Sequence, residues 1–197
     1  LNIGYDILTE VVREKAEETC SPERLEHISG VERLAKRLSV VHNSDPFKAA
    51  LAALSHDLFR DADGDELMRK AVSYGIEPSD IERNFPILLH GKVAACFLNE
   101  EFGLEGDVFE AVYWHVSGIP GMCVLGKILM IADISEESRS FPEALQIRVA
   151  AEADLEKSFV DVIRLKITWA VKSGSLLLPE TVWTWNELLG GANHVSN

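Results

Sequence analysis

The sequence predicts an all-α fold. Apolar residues recur at three- and four-residue spacing in one segment after another, and no run alternates as a half-buried strand does. Helix starts are marked by a capping Ser or Asp followed by proline, as at Ser21-Pro22 and Asp45-Pro46. No repeat, low-complexity tract or linker interrupts the pattern, so residues 1–197 read as one domain, a core over 21–140 with a C-terminal helical extension over 141–197.

Residues 3–18 carry Ile3, Ile7, Leu8, Val11 and Val12 on one helical face. The helix that starts at Ser21 runs to about Val41. Its inward face holds Ile28, Val31, Leu34, Ala35 and Leu38, and His27 shares that face. A third helix begins at Asp45, runs through the small, closely packing stretch Ala52-Ala53-Leu54-Ser55, and delivers His56 and Asp57. Asp61-Ala62-Asp63-Gly64-Asp65 resembles the start of a calcium loop, but the twelfth position is Val72, not Glu, so it reads as a solvated turn with a helix cap. A short helix spans 65–74 and stops at Gly75. A brief helical turn opens at Pro78-Ser79-Asp80. Pro86 starts a longer helix through Phe102, with His90 one turn in.

Asp107 caps a helix through about His115, broken by Gly118-Ile119-Pro120-Gly121. The segment 122–135 is apolar nearly all round, which places it at the centre of the fold, and the chain inserts Asp133 into it. A short helix from about 143, a long amphipathic helix over 154–172 and a short last helix with Trp183 and Trp185 complete the chain.

The formal net charge of −13 argues against a nucleic-acid partner or an anionic membrane surface, both of which favour a basic face. A phosphate substrate would need positive charge supplied locally, by metal ions or a few Lys and Arg. Cys20, Cys96 and Cys123 form no C-x-x-C pair and read as free thiols in a reducing compartment, with Cys96 and Cys123 as core packing. The first helix is too charged for a signal peptide and no apolar run reaches the length of a membrane span, so the expected setting is the cytoplasm.

His27, His56, Asp57, His90, His115 and Asp133 then stand out. They come from five predicted helices and sit on inward faces or at helix ends. An acid inside Leu-Met-Ile-Ala-Asp-Ile would remain protonated or cost several kcal/mol unless a cation or an arginine compensated it. Imidazole and carboxylate together suit a divalent transition metal. His42 and His194 lack such settings and read as surface residues.

The series of a His, a His-Asp doublet and a late Asp resembles the HD-domain metal-dependent phosphohydrolases. The resemblance implies that His27, His56, Asp57 and Asp133 bind a divalent metal, and that His90 and His115 match the subset with a second one. The chain is more similar still to the YqeK-type branch, bacterial symmetrical diadenosine-tetraphosphate hydrolases. The matching stretches are Leu88-Leu89-His90-Gly91, Ala111 to His115, Gly118 to Met122 with Leu125 and Lys127, Ile131-Ala132-Asp133 with Glu136 and Arg139, Leu178-Pro179-Glu180-Thr181, and Asn186-Glu187-Leu188-Leu189. Departures from the branch pattern are Val116 for the usual Thr, Glu137 for the usual Pro, and Arg60 for a frequent Lys.

The resemblance implies a di-iron centre, and imidazole donors also admit manganese or cobalt. The two ions would share Asp57, lie about 3.5–4 Å apart and activate a bridging water for in-line attack on phosphorus. Arg60, Lys92, Lys127 and Arg139 are the candidates for the polyphosphate, Arg139 the best of them at six residues past a metal ligand, and Asp57, Arg60 and Arg139 are the catalytic candidates. The implied reaction converts diadenosine tetraphosphate into two ADP, so an ADP- or GDP-like product is an expected ligand. Tyr113, Trp114 and Phe59 neighbour the ligands and fit core packing better than base stacking. Two other readings are an HD nucleotidase or phosphodiesterase for another phosphoester, and a helical nucleotide-binding module without catalysis. The helix over 154–172 offers a face for a homodimer.

Overall fold

The computed structural model describes residues 4–193, and within them every regular element is helical. In chain order these are α1 (Tyr5–Thr19), α2 (Pro22–Val41), α3 (Pro46–Ser55), α4 (Gly64–Ser73), α5 (Asp80–Asn84), a 3-10 turn (Pro86–Leu89), α6 (His90–Phe102), α7 (Asp107–Trp114), α8 (Val124–Ser135), α9 (Pro142–Ala153), α10 (Leu155–Ser173) and α11 (Pro179–Asn193). Ile3 and His194, assigned above to the first helix and to the surface, lie outside the described residues.

Local chemistry explains the starts. Ser21 Oγ accepts from the Arg24 backbone N–H, Asp45 from Phe47 and Lys48, Asp63 from Glu66, and Asp154 from Lys157. Each satisfies an amide that the first helical turn leaves without a partner. Ser79 and Glu82 cap α5 reciprocally. Gly103 and Gly174 end α6 and α10 in the left-handed conformation that side chains disfavour.

The centre of the molecule is α8. It packs against α2, α3, α7, α9 and α10, and Ile128, Leu129, Met130, Ile131 and Ala132 are buried along it. An element apolar around most of its circumference needs neighbours on every side, and these five helices supply them. Helix α3 is lined with alanine, so α2 approaches it closely. Ala49, Ala50, Ala52 and Ala53 are all buried there. No helix among the described residues is long and apolar enough to cross a membrane.

Four expectations are corrected. The helix expected over 86–102 divides into the 3-10 turn and α6, so His90 opens α6 rather than lying one turn inside it. The last helix is long, not short. His42 is half-buried, and its Nε2 bonds to the Ala151 carbonyl at 2.6 Å, tying the end of α2 to the end of α9. Cys96 and Cys123 pack against the core as expected, but they are half-buried rather than enclosed. The Cys123 sulfur caps α8 by accepting from the Gly126 N–H at 3.3 Å.

Because α8 holds the helices together, Leu129→Ala should lower the unfolding free energy by about 2–5 kcal/mol. Urea denaturation read by circular dichroism checks this. A loss under 1 kcal/mol would mean that the bundle does not depend on α8 in this way.

Candidate metal centre

Three of the four clustered histidines sit where a helical element ends, and the reason is local. His56 follows α3, and its Nδ1 bonds to the Ala53 carbonyl at 2.7 Å. His90 follows the 3-10 turn and bonds to Ile87 O at 2.5 Å. His115 follows α7 and bonds to Val112 O at 2.7 Å. In each case the ring takes the carbonyl three residues earlier, the one the next residue's amide would need to extend an α-helix. The same bond fixes the tautomer: Nδ1 carries the proton and donates it, and Nε2 presents its lone pair to the interior. His27, from within α2, uses a carboxylate for the same purpose. Its Nδ1 lies 3.1 Å from Glu136 Oε1.

All four Nε2 atoms converge on Asp57 and Asp133. Asp57 Oδ2 is 3.6 Å from His56 Nε2 and 3.9 Å from His27 Nε2. Asp57 Oδ1 is 3.2 Å from His90 Nε2 and 4.0 Å from His115 Nε2. The two oxygens of one carboxylate therefore face two separate pairs of imidazoles. His27, His56 and Asp57 form one compact trio of donor atoms, and Asp57, His90 and His115 form another. Asp133 Oδ1 lies 3.1 Å from His27 Nε2 and 3.9 Å from His56 Nε2, beside the first trio.

The donor set fits divalent metal. His56 Nε2 is fully buried and has no hydrogen-bond partner. His90 Nε2 and His115 Nε2 approach to 3.1 Å although each ring donates through Nδ1. Two lone pairs at that distance repel unless a cation or a proton lies between them. The same holds for His27 Nε2 against Asp133. Four imidazole nitrogens with two carboxylates suit a first-row transition metal better than magnesium.

Electrostatics agree. Burial alone would raise the Asp57 carboxyl pKa, but the surrounding His56, His90 and His115 imidazoles hold it well below the usual range. Asp133 is likewise lowered, its burial outweighed by the close approach of the His27 and His56 imidazoles. His115 is pushed down to about 3 by burial and by the neighbouring His90 and His56. Burial also lowers His27, but Asp133 and Glu136 outweigh it and raise its pKa.

Surrounding residues hold the donors in place. Arg24 Nη1 donates to Asp57 Oδ2 at 2.6 Å while its Nε reaches Asp61. Asp61, expected to be solvated, is thus tied to the site, and it also accepts from the Ser21 backbone N–H at 3.0 Å. Arg139 Nη2 donates to Asp133 Oδ1 at 3.3 Å, and its Nε donates to the Asp133 carbonyl at 3.2 Å. Glu136 is 1% exposed, receives both the backbone N–H and the hydroxyl of Ser138, and so stays anionic beside His27. Two glycines make room. A Cβ on Gly91 would lie 2.6 Å from His115 Cε1 and 2.9 Å from Val112 O, and one on Gly30 would overlap the Glu136 carboxylate.

A cleft of about 340 Å³ opens over the donors. It is lined by Arg24, Asp57, Arg60, Ile87, Leu88, His90, His115, Val116, Asp133, Arg139 and Lys166. Asp133 is not sealed in the core as its apolar neighbours suggested; its side chain is 21% exposed into this cleft. Of the four expected polyphosphate contacts, Arg60 and Arg139 line the cleft. Lys92 and Lys127 do not. The Lys92 ammonium pairs with buried Glu82 at 2.7 Å, near the rings of Tyr113 and Trp114, and Lys127 pairs with Glu156 at 2.7 Å. Phe59 is 6% exposed and packs in the core. Arg24, Glu136 and Lys166 were not singled out by sequence as parts of the metal site or its cleft. Arg24 falls one helical turn before His27 and offered that much of a signal. Lys166 offered none, since its place in the cleft depends on how α10 docks.

Two measurements test the centre. Gly91→Ala should displace the His115 ring and reduce the metal retained after purification by about half, read by elemental analysis; unchanged stoichiometry would contradict the close fit. Below an unfolded-state pKa near 6.5 the released His115 binds a proton that the folded protein refuses, so its burial costs stability progressively between about pH 6.5 and pH 3. His27 acts oppositely: its contribution is present below 6.5 and fades as pH rises through its raised value. In metal-free protein, His115→Gln should therefore flatten the fall in melting temperature between pH 6.5 and pH 4, and an unchanged profile would reject the assignment.

Comparison with known proteins agrees with this geometry. The family model of the HD domain matches residues 24–137, which include all six clustered His and Asp residues. The chain is 34% identical over 167 residues to the symmetrical bis(5'-nucleosyl)-tetraphosphatase of Halalkalibacterium halodurans, covering 84% of this chain and 89% of that one. It is 30% identical over 167 residues to the protein of the same name from Bacillus subtilis, with the same coverage. In structure it is similar to a protein from Clostridium acetobutylicum described as a predicted HD superfamily hydrolase involved in NAD metabolism, with a TM-score of 0.87 and 28% identity over 96% of this chain and 98% of that one. The chain belongs to the HD-domain family of hydrolases.

Proposed function

We propose that this protein hydrolyses a dinucleoside polyphosphate, diadenosine tetraphosphate, symmetrically into two ADP, with two divalent metal ions as cofactors. One observation carries the reading: Asp57 offers one oxygen to His27 and His56 and the other to His90 and His115, a donor arrangement that fits two neighbouring cations. The similarity to two proteins named symmetrical bis(5'-nucleosyl)-tetraphosphatase supports this substrate class. Iron is the metal we assign, with manganese or cobalt as substitutes. Free thiols at Cys20, Cys96 and Cys123 support a cytoplasmic setting.

The bound ions would supply Lewis acidity towards a phosphoryl oxygen and an attacking water. The chain's own residues do the rest. His27, His56 and Asp133 hold one side of the centre and His90 and His115 the other, each ring locked by its Nδ1 bond. Arg24 keeps the Asp57 carboxylate turned between the two sides. Arg60 and Arg139 line the cleft where the polyphosphate would lie; the guanidinium fork suits two oxygens of one phosphate. Placing reacting groups in this way accounts for much of the acceleration in phosphoryl transfer.

The flanks of the cleft fit a substrate with two nucleoside ends. A cavity of about 300 Å³, walled by Phe141, Trp169 and Leu176 to Leu178, shares Leu88, Val116, Asp133, Arg139 and Lys166 with the donor cleft. A second, of about 390 Å³, lies between Phe85, Ile87, Leu88 and the turn Gly174 to Leu176. Both have apolar walls, as base and ribose pockets do. A second reading, hydrolysis of a different nucleotide, is favoured by the departures at Val116 and Arg60, since both residues line the cleft.

The deciding experiment is product analysis with iron- or manganese-loaded protein under reducing conditions. ADP as sole product from diadenosine tetraphosphate is expected. AMP with ATP would reject central cleavage, and no turnover with both metals bound would favour the second reading. Asp57→Ala should keep its circular dichroism spectrum and lose at least about a thousandfold in kcat, because it removes a donor from both sides of the centre at once.

A further inference from the structure

The most unusual side chain at the cleft is Lys166. It comes from α10, outside the residues that the HD family model matches. Of the cations lining the donor cleft, Arg60 and Lys166 have no ion pair among the described residues, and of these two it is Lys166 that also lines the neighbouring apolar cavity. Lys92 and Lys127 are neutralised at 2.7 Å by Glu82 and Glu156. Arg24 is paired with Asp57 and Asp61, and Arg139 with Asp133. The Lys166 ammonium has a single hydrogen bond, to the Val116 carbonyl at 3.1 Å, and no carboxylate within 4 Å among the described residues. An ammonium carries three N–H donors, so two remain for a ligand. In a chain of net charge −13, with 32 acidic residues against 19 basic ones, a partly buried lysine left without an acid is a departure that needs a partner. Burial lowers its pKa, so the site as it stands disfavours the charge it carries.

Its position says what the partner is. Lys166 lines both the donor cleft and the apolar cavity of Phe141 and Trp169, together with Arg139 and Asp133. It therefore stands at the border between the part of the site that faces metal and the part that fits a nucleoside. At that border a nucleotide presents its non-reacting phosphate. The ammonium donates to the Val116 carbonyl at 3.1 Å, so it is placed before any ligand arrives.

We propose that Lys166 is a substrate-binding residue contributed by the C-terminal helices: it holds the phosphate adjoining the nucleoside seated in the Phe141–Trp169 cavity. This rests on the nucleotide reading above and deepens it. The lysine acts as a point charge on a phosphate that does not react, so its contribution is to binding and is the same for substrate, transition state and the nucleoside diphosphate product. It explains how an acidic protein assembles a local anion site, with Arg60 on the side of the His-Asp doublet and Lys166 on the side of α10.

The test uses the full chain loaded with metal. Lys166→Gln keeps an N–H donor for the Val116 carbonyl and removes the charge, and Lys166→Arg keeps the charge. For K166Q we expect the KM for diadenosine tetraphosphate to rise about tenfold with kcat within twofold, because a charge-assisted hydrogen bond contributes about that factor. Its ADP affinity, measured by isothermal titration calorimetry, should weaken by a similar factor, and K166R should recover most of both. Metal stoichiometry and melting temperature should match the unsubstituted protein. The proposal is overturned if KM and ADP affinity stay within twofold, or if kcat falls while ADP affinity is unchanged. It is also overturned if K166Q loses metal, which would assign Lys166 to holding the segment after His115. If the unsubstituted protein fails to cleave diadenosine tetraphosphate, the substrate assignment falls, and the ADP titrations still decide the role of Lys166.

Discussion

The structure depends on a crowd of lone pairs. Four imidazole nitrogens and the oxygens of Asp57 and Asp133 point at one another across distances of 3.1 to 4.0 Å. No chain would fold electron-rich atoms together without a positive charge to hold them, and the protons available at neutral pH do not suffice for His115. Much else in the molecule serves to keep that crowd in register. Alanines on α3 let α2 approach, α8 carries an acid through an apolar centre, and glycines at 30 and 91 give space to Glu136 and the His115 ring. The energy to do this comes from ordinary apolar burial around α8, not from the site itself.

The fold was legible in the sequence where local rules decide. Ser21, Asp45 and Asp154 cap helices because their side chains reach amides a few residues on, and at Ser21 and Asp45 the following proline confirms the boundary. The clustered donors were legible because an acid amid Leu-Met-Ile-Ala and a His-Asp pair after an alanine run have few inexpensive explanations. The division of the helix expected over 86–102 has a local cause that recurs at two other histidines. At His56, His90 and His115 a side chain captures the carbonyl that would otherwise extend the helix, and hydrophobic periodicity does not register such competition.

Cations were the hardest residues to place. Lys92 and Lys127 sit next to a metal-site motif in sequence, yet their ammonium groups turn to Glu82 and Glu156. Lys166 is 33 residues from the nearest donor in sequence and lines the cleft all the same. A long, flexible side chain reveals its partner only once distant helices have docked, because its own position fixes little beyond a reach of several ångströms. His42 was misjudged for the same reason: its acceptor, Ala151 O, lies on another helix.

The double duty of the three end-capping rings bears on how an ion leaves. A ring that swings aside to release its cation must also surrender a backbone carbonyl, and that carbonyl then has to be met by water or by a re-formed helical turn. Escape of a bound ion would thereby be tied to unzipping the ends of α3, the 3-10 turn and α7, whose last rings converge on Asp57. A cation held this way would exchange slowly, and the same hydrogen bonds that settle where the helices stop would set that rate.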